Sequence, residues 1–380
     1  MAIEFKRPWL GIAIPIFLIA FIGYGAHYFI LANYMHFNSQ VWFECSLSMI
    51  WLSYFLAIKT EPGEPPRNFR SQKWQWKQFC NKCNNFKPER THHCKKCQKC
   101  VLVMDHHCPW TMNCVGYRNY PHFLRFLFWI IATTAFLGFQ LAERIGYLWR
   151  NRNDRLFIGK TEIASLVILT PLNGFVLLTI SILFLRCVKN QIFKGMTQIE
   201  SWEMDRIENL FENRRLIPQL VENLKELHSD ANLNDTDCRR LLSSKRVRFD
   251  DIVNFPYDIN PWINAKTYLN SINYWLLPWG CPDGPGTIFQ KNDIALYEPN
   301  APLVDKLLSL PWPPDGGRQR SEIIENSLND VEISTQGGEH VIRKRWIDPR
   351  VTMPRSEWYN DWGENLSDFG VDTDAETGQT

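Results

Sequence analysis

The chain has 380 residues, 45% of them hydrophobic, and 42 Lys and Arg against 40 Asp and Glu leave a formal charge of only +2. So small a charge selects no class of charged partner, and the mildly negative mean hydropathy hides a division. The first half is largely apolar outside a cysteine-rich block, residues 189–380 are mostly polar, and C-x2-C pairs among histidines argue for metal in a reducing compartment and against a disulfide framework.

Four apolar segments, roughly 9–31, 41–58, 123–148 and 163–188, are each of the length that crosses a bilayer, where about 20 apolar residues suffice. The first has only a short charged lead, with Lys6 and Arg7, and no small-residue cleavage pattern, so it reads as retained rather than as a removable signal peptide. The second is short and begins near Glu44. The third has Arg125 near one end and Glu143-Arg144 near the other, where long side chains reach the headgroups, and no charge from Phe126 to Leu141. Trp9, Trp42 and Trp149 flank the segments as interfacial aromatics do. The fold class expected is an all-α polytopic membrane protein of four transmembrane helices, with a zinc-stapled domain between helices 2 and 3 and a polar C-terminal region.

The loop between segments two and three holds the densest run of Lys and Arg, from Lys59 to Arg118, while 32–40 has none. The positive-inside rule therefore puts that loop and both termini in the cytosol; Arg150, Arg152, Arg155 and Lys160 in the loop 149–162 dissent. Farther on, Ile199, Trp202, Ile207, Leu210 and Phe211 have partly helical spacing within 197–226, interrupted by Pro218, which suits ordinary packing. The basic tract Arg239 to Arg248 reads as a solvated face, with anionic lipid second. Residues 361–380 are acidic and expected to be disordered, and no internal repeat is expected. Cys45, Cys187, Cys238 and Cys281 are isolated and expected to be plain thiols.

Between Cys80 and Cys114 stand seven cysteines and four histidines. Structural zinc takes four ligands in a tetrahedron, so two ions account for eight of the eleven and leave a cysteine and two histidines. A spare thiol beside a spare imidazole is what a cysteine nucleophile and its base need. Spacing alone leaves open whether the ligands divide sequentially or interleave. A membrane-anchored zinc-finger adaptor without catalysis is the alternative; tethering beside two spans argues against a nucleic-acid partner.

Cys80-x2-Cys83, Lys87-Pro88-x-Arg90-x-His92-His93-Cys94 and Asp105-His106-His107-Cys108-Pro109-Trp110-x2-Asn113-Cys114 resemble the DHHC family of protein S-acyltransferases, in particular its fungal endoplasmic-reticulum members. The resemblance covers about residues 1–285. It implies division into residues 1–62 (helices 1 and 2), 63–122 (zinc domain), 123–188 (helices 3 and 4), 189–285 (cytosolic region) and 286–380 (variable extension). It implies one zinc on Cys80, Cys83, His93 and Cys100, and a second on Cys94, Cys97, His107 and Cys114. Cys108 would be the acyl-accepting nucleophile, His106 its base and Asp105 the group that orients His106. His92 would support the fold or contact the cofactor. The donor implied is palmitoyl-CoA, with Lys87 and Arg90 placed to meet its phosphates. The partners implied are the bilayer and membrane-associated proteins with cytosolic cysteines; the place implied is the endoplasmic reticulum, although Thr-Gly-Gln-Thr at the end is no retention signal. Glu61-Pro62-Gly63, Thr197-Gln198-Ile199-Glu200 and the stretch Tyr257 to Asn264 followed by Tyr274-Trp275-Leu276-Leu277-Pro278 depart slightly from family elements, with Asn260 where glycine is usual.

Overall fold

The computed structural model describes residues 7–153, 159–228, 238, 241, 247–270, 275, 278, 280–282, 284–317, 332–336, 339–343 and 348–375. Lys6, Arg155, Arg239, Arg240, Lys245, Arg246, Tyr274, Leu276, Leu277 and residues 376–380, on which sequence expectations fall, lie outside the described residues.

Four long helices correspond to the apolar segments: α1 Leu10–Phe29, α2 Phe37–Lys59, α3 Tyr120–Arg150 and α4 Lys160–Cys187. The second starts at Phe37, earlier than its hydropathy suggests, which makes it 23 residues long, and its Glu44 pairs with His27 of α1. All four are long and apolar enough to cross a membrane. In sequence order α2 packs on α3, α3 on α4, and α4 on α1. Two polar bonds join the helices: Asn173 Nδ2 donates to the Thr134 carbonyl at 2.9 Å, and Tyr34 Oη to that of Gln140 at 2.7 Å. Phe17, Phe139, Val167, Phe175 and Ile182 point outward, the arrangement lipid-facing helices need.

Between α2 and α3 the chain is not helical. Six three-residue strands form three antiparallel hairpins: β1 Gln78–Cys80 with β2 Asn85–Lys87, β3 His92–Cys94 with β4 Lys99–Val101, and β5 His106–Cys108 with β6 Asn113–Val115. The all-α expectation therefore holds for the spans and fails for this module, because turns closed by side-chain ligands leave no length for a helix.

After α4 a π-helical turn, Val188–Phe193, widens the coil and leads to α5, Gln198–Glu212. Thr197 and Glu200 close a capping box at its start. Pro218 lies in the first turn of a separate helix, α6 Leu216–Leu227, where the missing N–H does no harm. These two helices, α7 (Pro261–Leu269) and α8 (Leu303–Leu308) belong to the C-terminal region. Ile207, Leu220, Leu224, Phe255 and Trp312 share one of its apolar cores. Asn260, at the position where the family favours glycine, caps α7 by accepting from the Ile263 amide at 2.9 Å. A hairpin of β7 Glu332–Gln336 and β8 Glu339–Arg343 follows.

Residues 361–375, expected to be disordered, are instead packed against the zinc-type module. Leu366, Val371 and Ala375 are buried, Val371 forms a bridge with Cys94, and Trp202 of α5 donates to the Glu364 carbonyl at 2.9 Å. Acidity misled because Glu364 and Asp372 are consumed in pairs with Arg186 and Lys82.

Candidate active site

The three hairpins repeat one plan at a spacing of fourteen residues (80, 94, 108), so the expectation of no internal repeat fails. Cys80, Cys94 and Cys108 end the first strands; Cys83, Cys97 and Thr111 follow three residues later; Asn84, Gln98 and Met112 then turn the chain at φ 48°, 55° and 51°. The first two hairpins each supply a Cys-x2-Cys knuckle, and the second and third each supply a His and Cys pair to the knuckle of the hairpin before. The structure thus brings together Cys80, Cys83, His93 and Cys100, and separately Cys94, Cys97, His107 and Cys114, with ligand atoms within 4.8 Å of one another in each group.

His93 Nδ1 lies 3.4, 3.3 and 3.8 Å from the sulfurs of Cys80, Cys83 and Cys100; His107 Nδ1 lies 3.6, 3.3 and 3.6 Å from those of Cys94, Cys97 and Cys114. A tetrahedral zinc site demands nitrogen–sulfur separations of about 3.5 Å, so both donor sets fit the ion. The amides of Cys83 and Cys97 also point at the sulfurs of Cys80 and Cys94, at 3.4 and 3.3 Å. The third knuckle has no fourth hairpin to complete it, and Thr111 stands where a second thiolate would. Cys108 is uncommitted for that reason.

Cys108 is 3% exposed and packs with Leu47, Tyr54, Leu124 and Leu127 from α2 and α3. Three contacts fix its hairpin on the helices. Tyr54 Oη donates to the Trp110 carbonyl at 2.7 Å; Asn113 Nδ2 donates to the carbonyls of Ala57, Ile58 and Thr60 that α2 leaves open; Asn119 Nδ2 donates to the Cys114 carbonyl at 2.7 Å.

His106 and Cys108 lie near enough to shift each other's protonation, and His106 Nδ1 lies 2.8 Å from Asp105 Oδ2. The Phe123 ring meets it edge-on at 5.5 Å. The other oxygen of Asp105 accepts from the Gln191 side chain at 2.5 Å and from the Gln198 amide at 2.9 Å. A buried carboxylate held by three donors cannot rotate, and a carboxylate at a helix start is favoured by the helix dipole. The carboxylate in turn fixes which nitrogen of His106 carries hydrogen. Burial alone pushes the His106 imidazole down, but Asp105 and Cys108 raise it to about 10. Burial likewise pushes the Cys108 thiol up, and the hydrogen bonds from His106 and Thr111 outweigh it, holding the thiol below its ordinary value.

Arg90 does not fit the phosphate role expected of it. Its guanidinium is 2% exposed, donates twice to the Glu200 carboxylate at 2.6 Å, reaches the Gly195 carbonyl and Tyr268 hydroxyl, and lies 4.4 Å from the Tyr257 ring. It ties the module to the α5 cap and so supports Asp105 indirectly. Lys87, 4% exposed, lines a small polar recess that Arg90, His92 and Arg355 share with the carboxylates of Glu200 and Glu203. Of the isolated cysteines, Cys187 packs in the same buried cluster as Cys108, and Cys281 Sγ sits 3.8 Å from His122 Nε2.

Sequence reasoning missed two contributors. Gln191 sits in the π-helical turn, where a residue's direction cannot be read from helical periodicity. The C-terminal strap, 364–375, lies more than 240 positions beyond the module. Its Phe369 carbonyl accepts from the His107 amide at 2.8 Å, its Gly370 carbonyl from Lys95 at 2.9 Å, and its Asp372 amide donates to the His93 carbonyl at 2.8 Å. With the end of α4 the strap walls a cleft of about 590 Å³ into which His106 opens. The fourteen-residue spacing was the one overlooked signal in the sequence.

A buried thiol beside an oriented imidazole, two Cys/His groups that could each hold a metal ion, and four helices apolar enough to cross a membrane occur together in one chain. The DHHC palmitoyltransferase profile matches residues 74–205. Over 378 residues the chain is 54% identical to palmitoyltransferase PFA4 of Eremothecium gossypii, covering 99% of this chain and 100% of that one. The Saccharomyces cerevisiae protein of the same name is 53% identical at the same coverage, and that of Candida albicans 36% over 459 residues, covering 99% and 100%. The chain belongs to the DHHC palmitoyltransferase family and is a protein S-palmitoyltransferase.

Proposed function

We propose that the chain transfers a long acyl group from palmitoyl-CoA to cysteines of membrane-associated proteins through a thioester on Cys108. One observation carries the reading: of the seven cysteines in the module, Cys108 alone stands outside both metal groups, two residues from an imidazole that Asp105 orients and that helps hold its thiol below the ordinary value. In the first step the Cys108 sulfur attacks the thioester carbon, His106 takes the thiol proton, and CoA leaves with a proton returned by His106. Asp105 holds the tautomer and steadies the imidazolium. In the second step an acceptor thiol displaces Cys108 from the acyl carbon.

Two zinc ions on Cys80, Cys83, His93 and Cys100 and on Cys94, Cys97, His107 and Cys114 would supply rigidity, bracketing Cys108 between the ligands His107 and Cys114. The apolar cluster around Cys108, shared by α2 and α3, supports placement of the acyl chain among the helices. Removing sixteen carbons from water at about 0.8 kcal/mol per CH2 is worth roughly 12 kcal/mol, so an apolar slot is an adequate binding device. Lys87 and His92, in their polar recess, are the groups we assign to CoA phosphate. The Lys/Arg-rich loop supports a cytosolic module and cytosolic termini. The division at residues 62, 122, 188 and 285 and a place in the endoplasmic reticulum belong to the same reading.

Detergent-solubilised protein given palmitoyl-CoA alone should acquire one acyl group on Cys108, cleaved by neutral hydroxylamine. Equal labelling of Cys108→Ser would refute the assignment. Labelling of the 70–110 loop from the lumenal side of sealed microsomes would refute the orientation.

A further inference from the structure

The cleft beside His106 adjoins the apolar cluster of Cys108, meeting it at Cys187. Asp105, His106 and His107 line it and Cys108 does not. Cys108 is 3% exposed and Asp105 has 2% of its side chain exposed, whereas the His106 side chain is 21% exposed. The imidazole therefore stands between two compartments, one holding the thiol among helix side chains and one open. Leu183, Cys187 and Met112 make the apolar part of the open one, and Ser367 to Gly370 of the strap also line it. Lys96 and Arg186 also border it.

We infer that this cleft is the acceptor site: it takes an extended peptide segment bearing the cysteine to be acylated, with apolar flanking residues toward Leu183 and Met112. The inference rests on the acyl-Cys108 reading. Once Cys108 is loaded, its chain occupies the helix side, so an acceptor must approach from elsewhere and must hand its thiol proton to His106. The cleft is where His106 can be reached. The acceptor sulfur bonds to the acyl carbon, the bond from that carbon to Cys108 sulfur breaks, and the acceptor's proton passes by way of His106 to Cys108. Nothing is oxidised or reduced. A volume of about 590 Å³ is within the usual range for ligand pockets and suits a few residues of extended chain. The strap wall is attached to the catalytic strand itself through the bond from the His107 amide to the Phe369 carbonyl, so the acceptor and its base share one frame.

The test separates loading from transfer. Ser367 is exposed and its hydroxyl donates to Asn365, so Ser367→Trp fills the cleft from the strap side; Leu183→Trp fills it from α4. Each variant, with wild-type zinc content verified, is loaded with palmitoyl-CoA and then offered either a myristoylated peptide with one cysteine or cysteamine, which is too small to need the cleft. We expect loading and cysteamine transfer within about threefold of wild type, and peptide transfer down at least tenfold in both variants. Loading that falls in parallel would make the cleft the donor's route and overturn the inference, as would unchanged peptide transfer in either variant. Failure of the wild type to load would instead remove the acyl-Cys108 reading beneath it.

Discussion

Gly370→Ala should loosen the strap from the catalytic hairpin. Gly370 has φ +85°, and a Cβ built there would stand 2.6 Å from the Cβ of His107. Carbon atoms in contact sit about 3.5–4.0 Å apart, so strap and hairpin must separate by roughly 1 Å. The left-handed backbone costs an alanine about 1–2 kcal/mol, and overpacking of this kind about 1–3 kcal/mol more. Against that stand four backbone bonds joining strap to module: Lys95 to Gly370, His107 to Phe369, Asp372 to His93 and Asn81 to Ala375. At about 0.5–1.5 kcal/mol net apiece they contribute roughly 2–6 kcal/mol, comparable to the strain, while buried Leu366, Phe369 and Val371 keep the strap near, so the contact loosens locally. Gly363 is the control, because it has φ +73° with nothing within 4 Å of its Cβ position. Gly363→Ala carries the backbone cost without the collision. Hydrogen exchange at the Lys95 and His107 amides, zinc loss to a chelator and the Cys108 loading rate are the readouts. Gly370→Ala should lose protection at both amides and load about tenfold more slowly, and Gly363→Ala should stay within about threefold of wild type. Equal behaviour of the two variants would refute the role given to the contact.

Cys108→Ser should keep both zinc ions and lose acyl loading, whereas Cys97→Ala should lose metal and stability together, as metal analysis and thermal melting would report. His106→Ala should retain zinc and slow loading by ~10²–10⁴-fold, the usual range for removal of a general base; loss of zinc instead would make His106 a ligand. Arg90→Leu leaves Glu200 buried without its cation and should destabilise the protein by about 3–5 kcal/mol, measured by denaturation; a milder effect would mean that water replaces the guanidinium.

Much of this molecule was legible from local chemistry. Hydropathy located four spans because a bilayer-crossing helix must satisfy its own backbone within one continuous apolar segment, and that requirement is written residue by residue. The excess of cysteine and histidine over metal demand singled out a thiol and two imidazoles, since ligand number is a property of the ion. The individual ligand sets came only through family resemblance, because spacing permits more than one division.

Tertiary structure decided what depends on residues distant in the chain. Whether Arg90 meets phosphate or carboxylate depends on Glu200, which a π-helical turn and a capping box bring beneath it. That Asp105 is held by Gln191 and the α5 amide depends on where α4 ends, and side-chain direction through a widened turn does not follow helical periodicity. The acidic end of the chain had the composition of a disordered tail. Backbone hydrogen bonds carry no signature in side-chain composition, so its place against His93, Lys95 and His107 became visible only once the hairpins and the strap were side by side.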